Sequence, residues 1–306
     1  MSLTYVITTL FRGDDIEQTE YVIGQLEGLS AKSHQILVFN GGLYPRGQKW
    51  LEKKYSTVKV IELDAPDDWG IQSEFHYCRF VWTQLHKYVD TDFYLKMDRD
   101  VCVINRDFDS ILVDFMTRKP NIAAAGIHVS ITSNDKLRLD DFNLFQDLPR
   151  SVSYHNTKLL NGGVEIFRTS SMNEVGAIVE DYGKWIWRDI TLNVGEDDLI
   201  SFVLQGTGHI LEDCPYLGYV PAEMFELPLQ DDIDSIADIL YTYLHTKQAE
   251  FCLLHGFKPF SKYRKFYGIM HELLGRENVI EIRNKPNEAD RYCLNPVLLP
   301  GSLKRG

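Results

Sequence analysis

Residues Phe93–Asn105 read FYLKMDRDVCVIN: a short run rich in aromatic and aliphatic residues, an Asp-Arg-Asp triplet, and a second apolar run from Val101 to Ile104. The first run has the pattern of a buried strand, with Lys96 as the single charge inside it. Asp98 and Asp100 stand two apart at its exit, so in an extended chain both carboxylates project to one side while Arg99 points away. Two oxygen ligands so placed suit one divalent cation such as Mg²⁺ or Mn²⁺, with water and substrate phosphates completing its shell. A polar turn that caps a strand has the same pattern, so the flanking sequence has to decide.

Upstream, Thr4 to Leu10 (TYVITTL), Gln35 to Phe39 (QILVF) and Val58 to Leu63 are strand-like, and Ile16 to Leu29 has helical spacing through Ile16, Tyr21, Leu26 and Leu29. Strand, helix, strand in this rhythm predicts an α/β sheet with right-handed crossovers, whose ligands sit beyond the carboxyl ends of the strands. Asp98 leaves its strand at that end. Ile71 to Val89 carries Ile71, Phe75, Cys78, Trp82, Leu85 and Val89 at steps of four and three, one apolar helical stripe with Arg79 on its flank. Downstream come a strand over Ile122 to Ile131, a polar loop from Thr132 to Pro149, and Leu159 to Phe167 (LLNGGVEIF) with Asn161, Gly162 and Gly163. Helices are predicted over Ser171 to Tyr182, Asp197 to Leu204 and Gln230 to Glu250, with a last strand at Phe251 to Leu254. Beyond about Tyr267 a short helix leads into a Pro-, Asn- and Gly-rich tail. No internal repeat and no flexible linker divides the chain.

The 306 residues are 44% hydrophobic and 25% charged, which excludes collagen-like and disordered classes. Lys plus Arg is 32 against 44 Asp plus Glu, a formal charge of −12, and a surface this acidic repels nucleic-acid phosphates and anionic headgroups. One stretch reverses the sign: KPFSKYRK, residues 258–265, holds Lys258, Lys262, Arg264 and Lys265 and no acid. It suits a diphosphate, with Arg79 as a further bidentate clamp, or a peripheral contact with a membrane headgroup. No apolar run has the length of a membrane span, and the first residues have no secretory-signal pattern. Cys78, Cys102, Cys214, Cys252 and Cys293 are odd in number and widely spaced, as reduced core residues are, so the expected location is the cytoplasm.

FYLKMDRDVCVIN resembles the metal-binding strand of nucleotide-sugar-dependent glycosyltransferases of the GT-A fold. Three further segments fit in the same chain order: LLNGGVEIF is similar to their acceptor-side turn and strand, VGEDDL (194–199) to their acidic motif, and LHGFKPF (254–260) to the segment that supplies a histidine ligand and a diphosphate-binding lysine. The resemblance implies a single GT-A-like α/β domain over 1–267, with a Rossmann-like mixed central sheet and flanking helices. Its nucleotide-binding half spans about 1–105 and its acceptor half about 106–267, and 268–306 packs on it as a C-terminal helix and tail.

The resemblance also assigns roles. Asp98, Asp100 and His255 would hold Mn²⁺ (or Mg²⁺), imidazole tilting the choice toward manganese. Thr8, Thr9, Asn40, Arg79, Lys96, Asp98 and Lys258 would bind the donor, a UDP-sugar, with Asp64 a further candidate. Here Lys258 and Pro259 follow His255 after a shorter gap than the family's. Asn161, Gly162, Gly163 and Asp198 would meet a glycan or glycolipid acceptor, with Asp197 as general base beside Glu196. GEDD is similar to inverting enzymes and the His-to-Lys-Pro segment to retaining ones; the reading adopted is inversion. Trp69, Trp185 and Trp187 are either platforms for sugar rings or core residues. A sugar-phosphate nucleotidyltransferase is the nearest alternative, against which TTLFRGDD (8–15) has a single glycine where a phosphate loop needs several. The other is a non-catalytic nucleotide- or carbohydrate-binding protein of the same fold, which would have no need of metal ligands.

Overall fold

The computed structural model describes residues 1–11, 15–42, 49–71, 73–128, 145–154, 156–187, 194–219 and 252–256. The chain forms two compact units. Met1–Arg12, His34–Asp98 and Val113–Cys214 make the first, and Gly13–Ser33, Arg99–Leu112 and Pro215–Gly306 the second.

A seven-stranded sheet is the frame of the first unit. Its strands are β1 (Leu3–Thr9), β2 (Gln35–Asn40), β3 (Val58–Ile61), β4 (Phe93–Asp98), β6 (Ile122–His128), β7 (Leu160–Arg168) and β8 (Ile210–Asp213), in the order β3-β2-β1-β4-β7-β6-β8. The first four run parallel; β7 is antiparallel to both β4 and β6, and β8 is parallel to β6. All seven residues of β1 are buried, as the continuous apolar runs of a strand covered on both faces require. The helices of this unit include α2 (Trp50–Lys54), α3 (Glu74–Gln84), α5 (Thr169–Ile186) and α6 (Glu196–Gly206).

Helices α3, α5 and α6 pack on one another, and α6 lies on β7. Their core includes Trp69, Tyr77, Phe80, Trp82, Val175, Val179, Trp187, Leu199 and Phe202, together with Tyr94 of β4 and Phe167 of β7. Tyr94 and Phe167 are register partners whose rings stack at 4.9 Å. Helix α3 starts three residues later than the apolar stripe suggests because the Ser73 hydroxyl accepts the His76 N–H as its N-cap.

In the second unit, α1 (Asp15–Leu29) accompanies a three-stranded sheet of β5 (Val101–Val103), β9 (Leu217–Tyr219) and β10 (Leu253–His255), in the order β5-β10-β9. Helix α4 (Phe108–Arg118) runs from the second unit's sequence into the first's. The sequence reading did not anticipate α2, α4, β8 or β9. The strands have four and three residues, too few for a period to register, whereas α4 carries buried Phe108, Ile111, Leu112, Phe115 and Met116 at helical spacing. The helix predicted over 230–250 and the tail beyond 267 lie outside the described residues.

Phe167 is 2% exposed and fills the sheet's helix-covered face. Phe167→Ala should lower the unfolding free energy by about 3–5 kcal/mol in urea denaturation, and a loss below about 1 kcal/mol would contradict the packing described.

Candidate active site

On the helix-covered face of the first unit's sheet, the apolar row of Tyr94 and Phe167 is followed by a polar one. Lys96 of β4 stands directly opposite Glu165 of β7, and Glu165 opposite Gly126 of β6. Lys96 is 0% exposed. Its ammonium donates to Asp98 Oδ1 at 2.9 Å and to the Gly162 carbonyl, and sits 2.9 Å from the centroid of the Trp82 ring. An ammonium has three donors, and two oxygens and a π face use them. Lys96 was expected at the donor; its ammonium is engaged with Asp98 and with the Gly162 carbonyl.

Gly162 is the meeting point. Its N–H donates to Asp197 Oδ2 at 3.3 Å, while its carbonyl accepts from Lys96. A Cβ at this position would lie 3.0 Å from Trp82 and 3.1 Å from Asp197, so α3 and α6 approach the strand this closely only because residue 162 is glycine. Asn161 folds its side-chain oxygen back to the Gly163 N–H at 2.8 Å, within the first residues of β7.

Helix α6 opens with Glu196, Asp197 and Asp198, three acids in the turn where the helix dipole favours them. Asp197 Oδ1 accepts the Asp198 N–H. Asp198 is 2% exposed, and its carboxylate receives the Gly195 N–H and the Tyr154 hydroxyl. The structure therefore gives Asp198 a capping part, beside the acceptor part expected of it. Arg79 is buried, with Nε 3.5 Å from Glu196 and its guanidinium 6.0 Å from the Trp187 ring. Burial pulls the Arg79 pKa down, partly offset by Glu196, Asp197 and Asp198. Burial and the neighbouring Asp197 push Glu196 up.

At the ends of β1 and β2, the Thr8 hydroxyl donates to Asp98 Oδ1 at 3.0 Å, Thr9 Oγ1 accepts the Phe11 N–H, and Asn40 Oδ1 accepts the Gly42 N–H. All three residues are almost wholly buried, so their side chains shape the strand ends. Of the tryptophans, Trp69 and Trp187 are 4% exposed and stacked on each other, members of the core, whereas Trp185 is 54% exposed.

Within the second unit, His255 Nε2 lies 3.3 Å from Asp100 Oδ2, and Asp100 is 0% exposed. Register pairing of His255 with Val101 brings β10 to this spot, and the Gly256 N–H donates to the Asp100 carbonyl. Gly256 has φ +103°, in the region that favours glycine. Arg99 pairs with Asp15 at 2.6 Å. Asp98 closes β4, and the chain turns at Arg99 and Asp100 before entering β5, so Asp98 is extended as expected whereas Asp100 lies on a turn. The turn is what lets the chain change sheets. Asp98, Asp100 and His255 constitute a group that could hold a metal ion. Its two carboxylates and one imidazole fit manganese, and a carboxylate as buried as Asp100 gains from a cation beside it. Lys258 and the rest of the basic stretch lie outside the described residues.

No family model matches the chain, and no curated protein sequence matches it. Solved structures do. The galactosyltransferase LgtC, in complex with donor and acceptor sugar analogs, is 12% identical over 89% of this chain and 95% of that one, with a TM-score of 0.52. An active-site mutant of LgtC is 13% identical over 85% and 88%, with a TM-score of 0.50. The chain has the GT-A fold, a mixed α/β architecture with a seven-stranded sheet and flanking helices.

Glu165 had no place in the sequence reading. It is 2% exposed, and burial pushes its carboxyl well above the usual carboxylate range, with Lys96 pulling the other way. Because its folded pKa is raised, the stability it contributes is full below the unfolded value and is lost as pH rises through the folded one. Glu165→Gln should therefore gain stability over wild type toward about pH 8 and lose that margin toward about pH 4. Urea midpoints that track wild type across this range would count against a buried, proton-binding Glu165.

Proposed function

We propose that the protein is a metal-dependent glycosyltransferase that moves a sugar from a nucleoside-diphosphate sugar, a UDP-sugar in this reading, to a hydroxyl of a glycan or glycolipid. One observation carries it: Asp100 and His255 are held within 3.3 Å of each other, two residues along the chain from Asp98 at the exit of a central strand. The fold, shared with a galactosyltransferase solved with donor and acceptor sugar analogs, supports the same reading.

Asp98, Asp100 and His255 would hold Mn²⁺, or Mg²⁺ in its place. When bound, the ion supplies positive charge to the diphosphate of the donor. Thr8, Thr9 and Asn40 shape the strand ends that receive base and ribose. Arg79, with Lys258 from the basic stretch, adds cationic charge toward the diphosphate, which leaves with the electron pair of the broken anomeric bond. Asp197 accepts the proton of the attacking acceptor hydroxyl, oriented for this by the Gly162 N–H, and the anomeric centre inverts. Glu196, tied to Arg79, holds the donor-side cation in place. Asn161, Gly162, Gly163 and Asp198 form the acceptor side, where the turn brings backbone close to a sugar. The catalytic domain spans 1–267 with 268–306 packed on it, and the location is cytoplasmic, with peripheral membrane contact through the basic stretch.

No helix of the described residues is long and apolar enough to cross a membrane. The net charge of −12 sets nucleic acid aside as a partner.

Two measurements test the proposal. Across a panel of sugar nucleotides, one donor should be hydrolysed with manganese dependence, and Asp98→Asn or Asp100→Asn should lower that turnover at least about 100-fold at a temperature where thermal melting shows each variant folded. Asp197→Asn should lose turnover to a similar degree yet keep its thermal shift with UDP and Mn²⁺. Wild-type turnover in either metal-ligand variant sinks the metal assignment; lost nucleotide affinity in Asp197→Asn moves that residue to the donor side.

A further inference from the structure

A lysine with no solvent exposure needs a reason to be there. Side chains of similar length without charge, such as methionine, fill the same volume without the desolvation penalty of an ammonium. At Lys96 the penalty is met by acceptors that all belong to the proposed reaction centre. Asp98 Oδ1 receives both the Thr8 hydroxyl and the Lys96 ammonium; the ammonium also donates to the Gly162 carbonyl; and the N–H of that glycine donates to Asp197 Oδ2. A donor-side carboxylate is thus joined to the proposed base through one ammonium and one glycine residue.

We propose that Lys96 is a positioning residue that transmits the state of the Asp98 carboxylate to Asp197 through the Gly162 backbone. This rests on the function proposed above. A cation on Asp98 draws electron density from the oxygen that Lys96 shares, so the ammonium leans more on the Gly162 carbonyl. With Trp82 against both the ammonium and the place of a Gly162 Cβ, the start of β7 has little slack. A shift at its carbonyl therefore moves its N–H, and with it Asp197. Glu165, directly opposite Lys96 across the β4 and β7 pairing, is the buried acid that keeps the ammonium on this side of the sheet. Loading of the metal is in this way linked to orientation of the base, so that the base is aligned when the donor side is filled.

The test uses the full chain with Mn²⁺ as probe and reads hydrogen exchange at residues 161–164. In wild type, Mn²⁺ should slow exchange there severalfold. In Lys96→Met, Mn²⁺ should still bind, as seen by water-proton relaxation, but exchange at 161–164 should no longer respond. Turnover of a hydrolysed UDP-sugar should fall at least tenfold in kcat while KM for the donor stays within about threefold. The double variant Lys96→Met with Glu165→Gln replaces the ammonium together with the buried acid opposite it, so it stays folded if the single one does not, and it should show the same loss of response. An equal response to Mn²⁺ in wild type and variants, or binding without a response in wild type, overturns this inference alone. If Mn²⁺ does not bind wild type at all, the metal-dependent reading falls and the inference falls with it.

Discussion

An ammonium taken out of water must find acceptors on every side, and in this protein that demand organises the centre of the larger sheet. Lys96 draws together the end of β4 through Asp98, the first residues of β7 through Gly162, and α3 through the face of Trp82. The effective penalty for an unpaired buried charge is several kcal/mol, large against a net domain stability of about 5–15 kcal/mol. Few arrangements of these three elements satisfy it. A glycine at 162 fits the same crowding, since a Cβ there would meet Trp82 at 3.0 Å and Asp197 at 3.1 Å, and both would have to give way slightly.

Around that ammonium the site is rich in acid. Glu165, Glu196, Asp197 and Asp198 lie among the elements on this face of the sheet, with Arg79 and Lys96 as the buried cations facing them. Acids crowded in low dielectric resist ionisation, and Glu165 and Glu196 are both pushed up for that reason. Perturbed carboxyls gathered at one place mark functional sites more often than chance allows. A cationic ligand would relieve this crowding, whereas a bare anionic one would add to it.

The smaller sheet contributes in another way. Its β10 is three residues long, yet its register places His255 beside Asp100, and Gly256 follows directly with a positive φ. A short strand suffices because the pairing is fixed by backbone hydrogen bonds on both sides, to β5 and to β9.

Some of this was decided by local pattern. The runs at Thr4, Gln35, Val58 and Phe93 became parallel strands because continuous apolar character acts within a few residues, and LLNGGVEIF became a strand that takes in its glycines, where a turn was expected. The candidates Asp98, Asp100, His255 and Asp197 were legible through the order of four short motifs, since a polar strand cap, a structural histidine and an acidic first helical turn have the same local patterns. Contacts between distant segments were not legible. That Trp69 and Trp187 stack in the core depends on how the helices pack, and that the lysine of FYLKM and the glutamate of GGVEIF stand opposite each other depends on strand order and register. A single lysine in one apolar run and a single glutamate in another were visible in the sequence. Only tertiary pairing made them neighbours, because in a sheet it is register that chooses which side chains share a face and meet.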